Sequence, residues 1–416
     1  MARPAKTRLA GTIAAMPMLA ALCAVATSSA QAQSPVVNNQ IQLGDVFATQ
    51  TLNVVTVEEG VGAETNANGN AVVAAVDRTN MSVTSNQTMA GATSAWTVVN
   101  ATGSMGESSQ VNTTATGNIA DISASQGTVT GVLTQIATAA PTVTARGQIE
   151  GETAEAGDIG LATTAASNSA GINLVNGSAG VRVNQSSNAD VLADGGAIVQ
   201  YVSGTADVSG VAAGNSVALI GTQSSAARIA TSQTNGGQVQ ASQFTAYGNA
   251  QTAVTSTSAS GNVVGAVNDG PLLDVTSNQY NDAYIRSQAE GSAYQYGTAA
   301  VVAYGVGNSV LAGNNGESVV LDNVQLNTGG GVEVIAGFSG QTGYDASSRA
   351  TAIGNDATAY SCSSCTGSMN IDSRQTNNSD VGATSTTSLG GGARSVNSSS
   401  QAIGNNASFY VSRPGS

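Results

Sequence analysis

The stretch from residue 259 to residue 281 opens on Ala259-Ser260-Gly261-Asn262 and closes on Gln279-Tyr280-Asn281, and both ends recur along the chain. Ala-x-Gly-Asn returns at Ala67 to Asn70, Ala115 to Asn118, Ala212 to Asn215, Ala352 to Asn355 and Ala402 to Asn405. Ala165-Ala166-Ser167-Asn168 and Gly305-Val306-Gly307-Asn308 are variants of it. The third positions are 69, 117, 167, 214, 261, 307, 354 and 404, separated by 48, 50, 47, 47, 46, 47 and 50 residues. Composition alone does not produce so narrow a spread, so the chain is an array of about eight units near 47 residues.

The glutamines keep step. Gln87, Gln135, Gln185, Gln279 and Gln325 each lie 18 residues past the third position, Gln233 lies 19 past it and Gln375 lies 21 past it. The longer last offset coincides with Cys362-Ser363-Ser364-Cys365, which reads as an inserted surface loop. Gln40 opens the array. Val191, Val239, Ile285 and Val381 follow their glutamines by six residues, and alternation bounded by Gly and Asn is the pattern of short strands rather than helices. The Gly and Asn of each signature are expected to form left-handed turns, with a weaker turn at Ala246-Tyr247-Gly248-Asn249.

A unit of short strands with small inward residues cannot bury enough apolar surface alone, so neighbours must complete its core. The expected fold is all-β, a repetitive β-solenoid or β-helix over 33–416. With two coils of about 23 residues per unit it would measure ~80 Å along its axis at the inter-strand spacing. Gln87, Gln185, Gln233, Gln279, Gln325 and Gln375 would then stack into a side-chain amide ladder, the competing reading being that they solvate turns. A β-propeller is the second architecture, disfavoured by a single tryptophan and four phenylalanines. A curlin-like β-stack is the third.

Residues 1–32 read as a secretory signal peptide. Arg3, Lys6 and Arg8 precede an apolar run from Leu9 to Val25, and Ala30-Gln31-Ala32 has the small residues of a cleavage site. Leu22 before Cys23 argues against lipid attachment there. The remainder carries nine arginines and no lysine or histidine against 25 acidic residues, a net charge of −16. Such a surface disfavours nucleic acid and anionic lipid, which require phosphate neutralisation.

The lack of histidine and lysine excludes His-based triads and removes the commonest general bases, so no enzymatic activity and no cofactor are expected. A carboxylate pair among Glu150, Glu152, Glu155 and Asp158, the densest acidic segment, would be the remaining route to glycoside hydrolysis, although a solvated loop is the plainer reading, as it is for Glu58-Glu59. All ten tyrosines follow position 200. Tyr280, Tyr284, Tyr294, Tyr296 and Tyr304 form the candidate polysaccharide contact, weighed against ordinary strand-face packing. Tyr294 and Tyr296 are expected on one strand face. Cys362 and Cys365 are a candidate local disulfide.

With its signal peptide, Gln-x-Asn units and Ala-x-Gly-Asn signatures, the chain resembles the holdfast anchor protein D family of stalked alphaproteobacteria. The resemblance implies an exported protein at the outer membrane and cell surface that attaches an adhesive polysaccharide, the holdfast. It also implies a curlin-like partner protein and a lipoprotein secretion channel. The alternatives are a self-polymerising surface fibre, for which exposed end coils rich in Asn and Gln are templates, and, further off, a polysaccharide-cleaving solenoid.

Overall fold

A computed structural model describes residues 34–139, 141–361 and 367–411. The signal-peptide expectation at 1–32 and the Cys362–Cys365 pair lie outside the described residues. What is described is strand and short turn, without a helix.

One complete coil illustrates all the others. Strand Ala226–Asn235 runs straight, and a short turn leads into the 30-residue strand Val239–Asn268. This long strand bends sharply after Tyr247 and runs back, giving a first arm (239–247) and a second arm (252–268). A turn then delivers the chain to Leu272–Asn281, directly beside Ala226–Asn235. Val239 and Ala241 of the first arm pack against Ala253 and Ala259 of the second in one apolar cluster. Val264 and Ala266, farther along the second arm, pack with Leu273 and Val275 of the next straight strand in another. Each coil is therefore a flattened two-layer loop enclosing two cores.

Neighbouring coils pair in parallel, the straight strands in unbroken register and the long strands with register shifts only at their bends, as between Val202 and Thr205. Straight strands Ser34–Gln42, Asn80–Met89, Thr128–Ala137, Ser178–Ser187, Ala226–Asn235, Leu272–Asn281, Ser318–Asn327 and Ser368–Asn377 form one eight-stranded sheet. Ala226 pairs with Leu272 and Leu272 with Ser318, each 46 residues on. The bent strands pair likewise, Val239 with Ile285 and Asn262 with Asn308. Parallel open sheets of this kind are a β-solenoid and exclude a ring of propeller blades.

The division into two coils per repeat does not hold. Pairing partners lie 46 to 50 residues apart, so one coil consumes the whole unit. The glycine-centred site at Tyr247-Gly248-Asn249 is the bend between arms of one coil and not a second coil. Eight rungs at the inter-strand spacing then span ~34 Å, about half the expected length.

The left-handed turns also lie elsewhere than expected. Ala-x-Gly-Asn sits inside continuous strand, as in Val239–Asn268. Positive φ falls instead on Arg78, Gln126, Asn176 and Gln223, at equivalent places in the turns before four of the straight strands. The signature glycine answers a different demand. A Cβ on Gly261 would lie 2.5 Å from the Gly307 carbonyl oxygen of the next rung and 2.5 Å from Asn281 Oδ1. Hydrogen is what fits there.

Candidate functional site

Between the two cores runs a polar seam made of the signature amides. Asn70, Asn118, Asn168, Asn215, Asn262, Asn308, Asn355 and Asn405 form one column, in which Nδ2 of each donates to Oδ1 of the next at 2.7–2.8 Å. The second N–H crosses the layers to a strand carbonyl, as from Asn262 to Tyr280 O at 2.9 Å. The glutamines form the facing column. Nε2 of Gln87, Gln135, Gln185, Gln233, Gln279, Gln325 and Gln375 donates back to Oε1 of the preceding copy at 2.7–2.9 Å, beginning from Gln40. Each also donates to a second-arm carbonyl, as Gln233 does to Val263 O at 3.0 Å.

Because a backbone carbonyl only accepts, these crossing bonds fix which amide atom is nitrogen. The two columns consequently have opposite polarity, Asn donating toward the C-terminus and Gln toward the N-terminus, so their aligned dipoles oppose one another. A third column, Asn235, Asn281, Asn327 and Asn377, occupies the Gln-x-Asn position in the later coils, with bonds of 2.7–2.9 Å. In earlier coils Met89, Ala137 and Ser187 stand at that position. The serine variant Ser167 falls between the copies with Ala137 and Ser187, the two smallest residues of the column.

The five candidate tyrosines do not share a surface. Tyr280 is exposed on the outer face of the straight-strand sheet, and Tyr304 is half-buried on the outer face of a second arm. Burial pushes the Tyr304 hydroxyl up to about 12, with the Asp356 carboxylate adding to the shift. Tyr284 begins a first arm and donates to Glu333, which also pairs with Arg286 at 3.3 Å. Burial, then that carboxylate, raises the Tyr284 pKa to about 12.

Tyr294 and Tyr296 part company at the bend. Tyr294 is 64% exposed and Tyr296 only 4% exposed, its ring edge-on to Phe338 at 5.1 Å. Strand alternation fails because the bend skips pairing at Tyr294 and Gly297. The Tyr296 ring fills the space that side chains on Gly340 and Gly343 would occupy.

The bends of successive coils line up as one edge of the solenoid. One earlier rung carries the exposed Glu150, Glu152, Glu155 and Asp158. Asp158 Oδ1 accepts from the Thr205 amide at 2.7 Å, which ties one bend to the next. Among the described residues, no group of three or more Asp, Glu, Cys or His is arranged to hold a metal ion. The later rungs carry tyrosines and amides around a shallow groove of about 220 Å³ lined by Tyr201, Asn249, Gln251, Gln295, Tyr296 and Tyr344. Tyr201 pairs with Glu155 on one side and Asn249 on the other, so the acidic stretch ends where the groove begins. Sequence reading passed over Tyr201 and Tyr344, although superposing units by their period places Tyr201, Asn249 and Gln295 in one column.

Comparison with known proteins adds a family. Holdfast attachment protein D of Caulobacter vibrioides is 48% identical over 69 residues, 17% of this chain, and the match spans 23% of that relative's length. No solved structure matches. The family described as Holdfast attachment protein D matches residues 55–331, which hold six of the eight signature sites from Gly69 to Gly307. By that match, over more than half its length, the chain belongs to the Holdfast attachment protein D family.

Proposed function

We propose that this chain is an exported, non-catalytic scaffold of the cell surface that anchors an adhesive polysaccharide, the holdfast, to the outer membrane. The observation that carries the reading is the pair of amide columns running unbroken through eight rungs. They hold equivalent outward faces in register, and a rigid repetitive surface lets many weak contacts add. Family membership supports the holdfast as the thing held. A curlin-like partner and an outer-membrane secretion channel complete the assembly in this reading, with no nucleic acid involved.

Deleting the gene should release adhesive from cells into the medium, and restoring it should retain the adhesive. Adhesive that stays on deletion cells refutes the reading.

Self-association into a fibre is the second reading, favoured by the first rung. Among the described residues, strands Ser34–Gln42 and Val46–Val54 are each paired on one side only, with Val37 and Ile41 exposed on the first and Phe47 on the second. Detergent-resistant, high-molecular-weight species of the purified chain would support it, and a stable monomer would count against it.

A further inference from the structure

The two populations of amides in this protein behave oppositely. Interior members of the seam such as Asn262 satisfy both N–H groups, whereas Asn249, Gln251 and Gln295 on the bend edge make no side-chain hydrogen bond among the described residues. They occupy neighbouring rungs and are flanked by Tyr201, 43% exposed, and Tyr344, 65% exposed. Tyr344 is held in place, with the Arg394 guanidinium 6.0 Å from its ring centre and Arg394 itself paired to Asp345. Within the groove lies Tyr296, 4% exposed, whose hydroxyl has no partner.

Flat aromatic faces at both ends, free amides between them and no charged side chain in the lining match the chemistry of a sugar chain. Ring C–H faces stack on tyrosine, and hydroxyls both give and accept hydrogen bonds with amides. The distance from the rung of Tyr201 to that of Tyr344, three steps, is ~14 Å, the length of a short oligosaccharide. A polyanion laid along the same edge would meet Glu150, Glu152, Glu155 and Asp158 next to Tyr201.

We propose that the groove formed by Tyr201, Asn249, Gln251, Gln295, Tyr296 and Tyr344 binds an uncharged saccharide chain across four consecutive rungs. This rests on the surface-anchor reading for its biological setting and names the place and class of the contact.

The test is calorimetric titration of the purified chain with neutral tetrasaccharides of glucose, galactose, mannose and their N-acetylated amino forms, with a tetra-uronate as charged comparison. At least one neutral tetrasaccharide should bind. Tyr201→Ala and Tyr344→Ala should each weaken it on the order of tenfold. Tyr201→Phe should hold within about twofold, since the stacking face remains. Tyr280→Ala, on another face, should change nothing, and circular dichroism confirms that each variant is folded. No binding by any neutral tetrasaccharide, wild-type affinity in Tyr201→Ala and Tyr344→Ala, or preference for the uronate overturns the proposal. Titration and adhesive release fail separately. A deletion strain that sheds adhesive while the groove binds nothing overturns the groove alone, and a groove that binds while deletion cells keep their adhesive overturns the anchor alone.

Discussion

Asn262 uses its whole amide. It donates to Tyr280 O and Asn308 Oδ1 and accepts from Asn215 Nδ2, with no exposure to water. Asn262→Ala strands a donor on Asn215 and an acceptor on Asn308 inside the seam, at a cost of ~2–4 kcal/mol, read as a lowered urea midpoint. Asn405→Ala removes the last member of the same column, where solvent takes over as partner, and should cost less than ~1 kcal/mol. Equal losses at both sites would mean the column does not cooperate with burial. Glycine provides a matching contrast. Gly261→Ala forces a methyl against Gly307 O and Asn281 and should destabilise by ~1–3 kcal/mol, whereas at Gly265 a Cβ meets nothing within 4 Å. Gly265→Ala should be neutral or gain up to ~1 kcal/mol by restricting the unfolded chain.

At the scale of the strand, inward and outward columns follow from alternation, and this much could be read before any coordinates. The period near 47 residues with an offset of 18 to 21 puts Gln87 through Gln375 in a column, because straight strands paired in parallel without slippage superpose whatever the period superposes. Alternation fails at bends, so Tyr294 and Tyr296, which alternation places on one face, occupy two environments. Glycine was equally ambiguous, since a left-handed turn and a close inter-rung approach both call for it and the sequence alone does not separate them.

The outer columns beside the asparagines have a titration consequence. Burial holds the Asp121 and Asp356 carboxyls above the usual carboxylate range, in Asp356 despite the hydrogen bond from Asn406. The folded state therefore binds these protons more tightly than the unfolded chain does. Their stabilising contribution is complete below the ordinary value of 3.8 and is lost as pH rises through the folded values. Asp356→Asn should flatten the rise in melting temperature on acidification across that window. A slope unchanged in Asp356→Asn would show that the carboxyl titrates normally.

For the whole molecule, one coil per unit means that the array is divisible only in steps of a full period. Removing 239–284 joins Gln238 to Ile285, the residue that pairs with Val239 one rung on, so strands, cores and columns all close over the cut. Asn215 would then meet Asn308 in place of Asn262, and Gln325 would meet Gln233 in place of Gln279. Nearest-neighbour stability predicts a folded protein with unchanged per-residue circular dichroism and a urea m-value smaller by about one part in eight. Removing 239–261 instead, half a coil, joins Gln238 to Asn262 and deletes the first arm together with the part of the second that faces it. That rung loses its first-arm core and the bend that turns the chain back over the straight strand, and the array should unfold or split into two independently melting pieces. Had each unit contained two equivalent coils of about 23 residues, the half deletion would have been the tolerated one. The pair of deletions therefore reads the period of the solenoid directly.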